Sequence, residues 1–536
     1  MTFENDKSPA SLPEALQVIA VQAAMIQTLQ GKIDALVKRL FGTGKNEGID
    51  PRQMQLLLAG LAQPAPAAPE PAAAPAPTKA NPKTSARKPA RSGIPENLPV
   101  ERIVLIPAEV QANPDQFRQI EEVITKELDF EPAKFFWRHL VRPKFVRQEP
   151  ARSQVCLPVI PSAMPLSAPP EKEILIAPLP NRLIEKGLPG VGLLIYLILS
   201  RFEDHLPFYR LEKIFLQRHQ VSLGRQSLVE WVERLADWFK PIYRQMMVEA
   251  FATGYLQVDE TPVEYLDRDQ PGRTHKGYFW VYGAVGGNVL FDWNVSRGRE
   301  VPMKFLKDFK GLIQTDGYET YASLVRERNR ALLEAGQKPQ LEHITCWAHV
   351  RRKFRESTDH PTRAAWFLKQ IQLLYAVESR LRESQAGPRL REALRQSESK
   401  LVVRRIEKAA KTIAQKVLPQ SSLGKAIRYM LDMWPELSGY LSDGKAMIDN
   451  NPIENSIRPT AIAKKNFLFI GHPDAGWRSA VIYSILGSCH RHRVNTALYL
   501  KDILTRLPNA KTSEIASLTP GQWIKAHPQA RTQPIP

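Results

Sequence analysis

The chain has 536 residues, too many for one hydrophobic core, so two to four domains are expected. Lys plus Arg outnumber Asp plus Glu by 74 to 55, and the resulting charge of +19 favours nucleic acid or another polyanion as partner, although a basic protein with no such partner stays open. The three cysteines (Cys156, Cys346, Cys489) are too few for a disulfide framework and fit a reducing cytoplasm, while the longest apolar run, Leu188 to Leu199, falls short of the ~20 residues of a membrane span.

In chain order, Leu12, Ile19, Ile26, Ile33 and Leu40 recur every seventh residue, with Leu29 and Leu36 on the second seam. Residues 1–62 therefore read as a helical, coiled-coil segment that would join chains into a homodimer or higher oligomer. An amphipathic helix docked on its own body is the alternative. Residues 63–98 are Ala/Pro-rich and basic (Lys79, Lys83, Arg87, Lys88, Arg91), the composition of a disordered linker. Residues 99–170 read as a small β-rich module, because Lys134 to Arg147 alternates bulky and basic residues. It holds Cys156 alone, so no zinc site can be built there from thiolates. Residues 171–250 read as helical. Within them Leu206 to Arg218 and Gly224 to Leu235 flank a short polar break, a helix-turn-helix-like pair with Arg225 and Gln226 at the start of the second helix as candidate DNA contacts.

Past Tyr255 the periodicity becomes strand-like. Leu256-Gln-Val-Asp259 reads as a buried strand, and Gly277 to Val285 and Asn288 to Val295 form a hairpin around Gly286 and Gly287. Gly311-Leu-Ile-Gln-Thr-Asp316 is stopped by Gly317, and His343 to Ala348 makes a further strand. Residues 251–356 thus read as an α/β unit, a mixed sheet flanked by helices. If its first strand lies beside its fourth, as in a ribonuclease-H-like sheet, Asp259 and Asp316 meet at neighbouring strand tips. Residues 357–446 read as a helical insertion, 447–510 as the last part of the core, and 511–536 as a tail. Glu454 follows in Asn451-Pro-Ile-Glu454, which also fits a capping box with Asn451 as N-cap. Asp259 could likewise cap a following element, and Asp316-Gly317 could be a plain turn. Read as a set, three carboxylates suit hard divalent cations, Mg²⁺ or Mn²⁺, with two ions per site and phosphodiester chemistry.

Several segments resemble the large transposase of the insertion-sequence 66 family, a DDE recombinase: Val258-Asp-Glu-Thr-Pro262, Leu312 to Tyr321, Cys346 to Phe354, Ile448 to Pro459, Lys464 to Phe469 and Tyr499 to Arg506. The resemblance implies that Asp259, Asp316 and Glu454 are the catalytic and metal-binding triad. It also implies a transposase that binds the terminal inverted repeats of its element and target DNA, and accessory proteins encoded beside it. A nuclease on the same fold without strand transfer, and a domesticated DNA-binding protein, are the competing readings. Candidate phosphate contacts are Arg351, Arg352 and Lys353, then Arg458, and Lys464, Lys465 and Arg478 expected to border the site. Trp280 reads as core, and Trp477 as core or a base-stacking ring. Two features depart from the family pattern: the missing zinc module, and Glu454-Asn-Ser where Glu-Arg-Ala is common, which leaves more phosphate holding to Arg458. Cys346 and His349 have a metal-like spacing but no second pair nearby, so no zinc is expected.

Overall fold

The computed structural model describes residues 98–131, 134–147, 174–185, 187–267, 269–270 and 272–532. The heptad stripe, the linker as far as residue 97, and Cys156 lie outside the described residues. Two mixed sheets and many helices make up the rest. In the first sheet, β2 (Phe117–Glu131) and β3 (Lys134–Arg147) form a long antiparallel hairpin. β1 (Val100–Val104) runs parallel to β3, and β4 (Ile174–Ile176) pairs antiparallel with it. β4 lies inside the stretch expected to be helical. Pro178 and Pro180 follow it at once, so the Ile-Leu-Ile run cannot propagate as a helix and pairs at the sheet edge instead.

After the short α1 (Ala108–Ala112), three helices follow the first sheet: α2 (Val191–Phe202), α3 (Phe208–His219) and α4 (Arg225–Ala252). The buried Asp129 of β2 accepts amide hydrogens from Phe130 and Leu193 at 2.9 Å each, which fixes the first turn of α2 to the hairpin. Gln220 ends α3 in a left-handed conformation, φ 56°, and α4 begins after Gly224, so the chain makes the tight helix–turn–helix the sequence suggests.

The second sheet is built from β5 (Tyr255–Leu266), β6 (Thr274–Ala284), β7 (Val289–Asn294), β8 (Gly311–Thr315) and β9 (Leu341–Thr345), in the order β7-β6-β5-β8-β9. β5, β6 and β7 are antiparallel to one another in turn, whereas β5, β8 and β9 run parallel. α5 (Glu300–Phe305) and α6 (Glu319–Glu334) are the connections on either side of β8, and α7 (Trp347–Arg355) follows β9. A helical insertion comes next: α8 (Pro361–Glu383), α9 (Pro388–Leu394), a π-turn at Arg395–Ser399, α10 (Lys400–Ala414), α11 (Ser422–Asp432) and α12 (Trp434–Ser438). The chain returns to the sheet through α13 (Asn451–Phe467), β10 (Phe469–Ile470, parallel to the end of β5), α14 (Gly476–Arg491), α15 (Thr496–Arg506) and α16 (Pro520–Ala526).

Two cores cover the second sheet. One is continuous from Leu128, Phe130 and Phe135 of the hairpin, through Leu193, Phe215 and Trp231, to Trp280, Phe291 and Ile482. The other joins Leu312 and Ile344 to Trp347, Phe354, Phe367, Ile406 and Met430 of the insertion. The apolar strands are thus covered on both faces, as their near-continuous hydrophobic runs require. No helix among the described residues is long and apolar enough to cross a membrane.

Candidate active site

Strand register sets two of the three acids. Tyr255 lies opposite Leu312 and Gln257 opposite Gln314 in the parallel β5–β8 pair. Two residues further, Asp259 is level with Asp316, on the same face as the two glutamines because side chains alternate. β5 does not stop at Asp259, as the sequence suggested it would. Thr261, Val263 and Tyr265 suit a strand and keep pairing with β6 to Leu266, so Asp259 is mid-strand and only Asp316 is at a tip. Asp259 Oδ1 accepts the Glu260 amide at 2.8 Å, and Asp316 Oδ1 accepts that of Tyr318 at 3.0 Å. Burial, then the charges of Asp316 and Glu260, and finally that of Glu454, push the Asp259 carboxyl up to about 8.

Glu260, on the other face of β5, is also displaced upward, chiefly by burial. Its oxygens are already engaged, by Arg297 Nη2 at 2.7 Å and by the Tyr321 hydroxyl at 2.9 Å. That leaves Asp259 as the free acid of the pair.

Glu454 is brought in by the segment 446–450, which is latched to the sheet by buried polar side chains. Gln257 Nε2 donates to Gln314 Oε1 at 3.0 Å and to the Asp449 carbonyl at 2.9 Å, and Gln314 Nε2 donates to the Met447 carbonyl at 2.8 Å. The Met447 amide donates to the Tyr255 hydroxyl at 2.9 Å, and Asn450 Nδ2 donates to the Val258 carbonyl at 2.9 Å. The Asn450 amide is held by Cys346 Sγ at 3.2 Å. These bonds overturn the capping-box reading. The N-cap of α13 is Asn450, not Asn451, and its side chain makes no cap bond: its Nδ2 is turned to Val258, and its Oδ1 is buried without a hydrogen-bond partner. The Glu454 carboxylate lies beside α7. Its Oε1 is 3.9 Å from His349 Nε2, its Oε2 is 3.7 Å from Arg352 Nη2, and Oε1 is buried without a hydrogen-bond partner.

Among the described residues, the set of three metal-type donors within 4.8 Å of one another is Cys346, His349 and Glu454, so the three acids are not drawn to that separation. His349 is the residue that sequence reasoning left out of the site. Burial lowers its proton affinity, and the charges of Glu454 and Asp316 oppose that shift. Its signal was the three-residue step from Cys346, which seats it in the first turn of α7, but its partner Glu454 is supplied from far along the chain.

The basic candidates divide. Arg352 reaches Glu454, and Lys353 lies 5.8 Å from the Tyr429 ring, whose hydroxyl donates to the Asp316 carbonyl at 2.9 Å. Arg351, over Tyr375 at 5.9 Å, lines an open 730 Å³ cleft with Arg355 and Lys369. Arg458 and Lys465 are exposed on α13, and Lys464 donates to the Pro262 carbonyl at 3.2 Å. Arg478 is engaged elsewhere: its Nη1 pairs with Glu233 of α4 at 2.7 Å. Arg225 and Gln226 are exposed at the start of α4. Trp280 is fully buried core, and Lys240 covers the Trp477 ring at 3.8 Å.

A basic mixed α/β chain whose sheet gathers acids at one end is the class of protein outlined so far. A family profile described as "Transposase IS66 family" matches residues 186–478, over half of the chain, and the chain belongs to that family. A second profile, "Transposase C of IS166 homeodomain", matches residues 28–103 and supports a DNA-binding, homeodomain-like N-terminal part. Relatives in Sinorhizobium fredii bear the description "uncharacterized protein". One, y4jD, is 28% identical over 420 residues, 76% of either chain. Another, y4qI, is 31% identical over 352 residues, 64% of either chain, and y4hP is 23% identical over 464 residues, 82% of this chain and 78% of its own.

Proposed function

We propose that this transposase binds the ends of its insertion sequence and cuts and joins DNA at Asp259, Asp316 and Glu454, on a ribonuclease-H-like core, by a DDE two-metal mechanism. The observation that carries the reading is the level placement of Asp259 and Asp316 on adjacent parallel strands, with Glu454 felt at Asp259. The strand order β7-β6-β5-β8-β9, antiparallel then parallel, supports the fold assignment. Mg²⁺ or Mn²⁺ fits the donors: hard carboxylate oxygens, an Asp259 carboxyl driven toward its neutral form by burial and then by neighbouring acids, and an orphaned buried oxygen on Glu454. Two such ions supply positive charge to the attacking and leaving oxygens of an in-line displacement.

The chain's own residues do the rest. Asp259 and Asp316 hold their relative position through the β5–β8 ladder, and Glu454 closes the site from α13. Arg352, beside Glu454, offers a guanidinium to a phosphate, and His349 lies beside the Glu454 carboxylate. Water cuts at the element end and frees a 3′-hydroxyl, which then attacks a target phosphodiester in the same site. Arg225 and Gln226 on the α3–α4 turn are the proposed readers of the element end, with Arg351, Lys353, Arg458, Lys464 and Lys465 along the DNA path. A homodimer or larger assembly through the heptad stripe, accessory proteins of the same element, and action in the bacterial cytoplasm complete the reading.

Labelled element-end DNA incubated with Mg²⁺ tests it. Cut and joined products are expected, with both lost in Asp316→Asn while DNA binding persists. Cut products alone would indicate a nuclease, and shifted but intact DNA a non-catalytic binder.

A further inference from the structure

At the end of the second sheet where β5 begins, the β6–β7 turn, the C-terminus of α14 and α16 enclose a 430 Å³ pocket. Its lining includes Arg491, Arg493, Lys525 and Arg531, and one acid, Glu249. Glu249 does not answer these cations. Its Oε2 accepts from Asn288 Nδ2 at 2.8 Å and its Oε1 from the Thr519 hydroxyl at 3.0 Å.

Arg491 is the informative residue. It is largely buried, yet every acceptor it meets is neutral: the Gly287 carbonyl at 3.0 Å, the Ala284 carbonyl at 2.5 Å and the Ser456 hydroxyl at 3.3 Å. A guanidinium withdrawn from water without a counter-charge is costly unless an anion completes its surroundings. Burial accordingly pulls it down to about 10. Arg493, Lys525 and Arg531 are exposed around the mouth, and among the described residues no ion pair engages them. His492, bonded through Nε2 to Asn288 Oδ1 at 3.0 Å, is held down to about 4 by burial and then by Arg491, Lys525 and Arg531.

We propose that this pocket, whose lining includes none of the three acids, binds a phosphate oxyanion, either a backbone phosphate of DNA or a free phosphate compound. The geometry is that of an anion seat, with a largely buried guanidinium in its lining and exposed cations around it. The DNA source rests on the DNA-processing reading above, whereas the oxyanion site does not.

The test uses the full chain and two triple variants. One removes the rim (Arg493→Gln, Lys525→Gln, Arg531→Gln). The other removes equal charge from the exposed face of the insertion (Arg404→Gln, Lys408→Gln, Lys416→Gln). Pyrophosphate binding is followed by calorimetry, and binding of a duplex without element sequence is followed across a salt series, with melting temperature confirming that each variant is folded. The rim variant is expected to lose at least about tenfold in pyrophosphate affinity, and the charge-matched control is not. If DNA is the source, the slope of log K against log salt also falls by roughly 2 to 3 in the rim variant, at ~0.9 for each phosphate no longer neutralised. An unchanged slope with pyrophosphate binding abolished assigns the site to a free phosphate compound. Pyrophosphate affinity that is unchanged in the rim variant, or reduced equally in the control, overturns the proposal. Asp316→Asn keeps both binding signals, so a failed cleavage assay leaves this result standing.

Discussion

Gly317 aims Asp316. It has φ +96°, a conformation that L side chains avoid, and a Cβ there would run into Met433 Sδ. The same turn is held by the Tyr429 hydroxyl on the Asp316 carbonyl. Gly317→Ala should therefore displace the carboxylate as well as strain the backbone. The expected loss is about 1–3 kcal/mol of stability by thermal melting. Metal-dependent cleavage should fall by about tenfold or more, because small displacements of a reacting group are costly. DNA affinity should be unaffected, and unchanged cleavage in a folded variant would count against Asp316.

The helical insertion positions the third acid. Arg395, fully buried, pairs with Glu378 and also donates to the carbonyls of Tyr440, Asp443 and Ala446 at 2.8–2.9 Å, the last at the start of the latch at 446–450. Removing one partner of such a pair leaves a buried charge uncompensated. Glu378→Gln is expected to cost about 3–5 kcal/mol in denaturant unfolding. Cleavage should drop further than DNA binding, since the loop that carries Glu454 loses its anchor. Nearby, Asp359 fastens the start of α11, accepting from the Ser422 amide and hydroxyl and from the Leu423 amide at 2.6–3.2 Å. These bonds, led by that from the Ser422 hydroxyl, hold its carboxyl down to about 2. A depressed carboxylate stabilises the fold above its ordinary value of 3.8 and loses that effect as pH falls toward 2. The melting temperature of wild type should exceed that of Asp359→Asn at pH 7, and the gap should narrow between about pH 4 and pH 2. Local chemistry made some of these elements legible: the Gly286-Gly287 hairpin and the Asp316-Gly317 stop both announce themselves. What was not legible depended on distant partners. β6 decided how far β5 continues past Asp259, while bonds to Cys346 and Val258 fixed Asn450, not the expected Asn451, at the start of α13. His349 acquired its partner only when α13 docked.

For the whole molecule, the informative fact is the continuity of the larger core from Phe130 and Phe135 through Trp231 to Trp280 and Phe291. The first sheet, α2 to α4 and the second sheet share one apolar interior. A fragment beginning at residue 251 would expose the faces that α4 covers, and it is expected to aggregate. A chain beginning near residue 98 should unfold in one calorimetric transition involving both sheets, and two well-separated transitions would contradict this. The latch at 446–450 also orders the site in time. A ribosome delivers Asp259 and Asp316 early and Glu454 late, after the insertion has been made, and domains fold as their sequence emerges. On the proposed reading, a nascent chain would present the α3–α4 turn to DNA while its third acid is still unsynthesised, and cutting would wait until the segment after the insertion has been made.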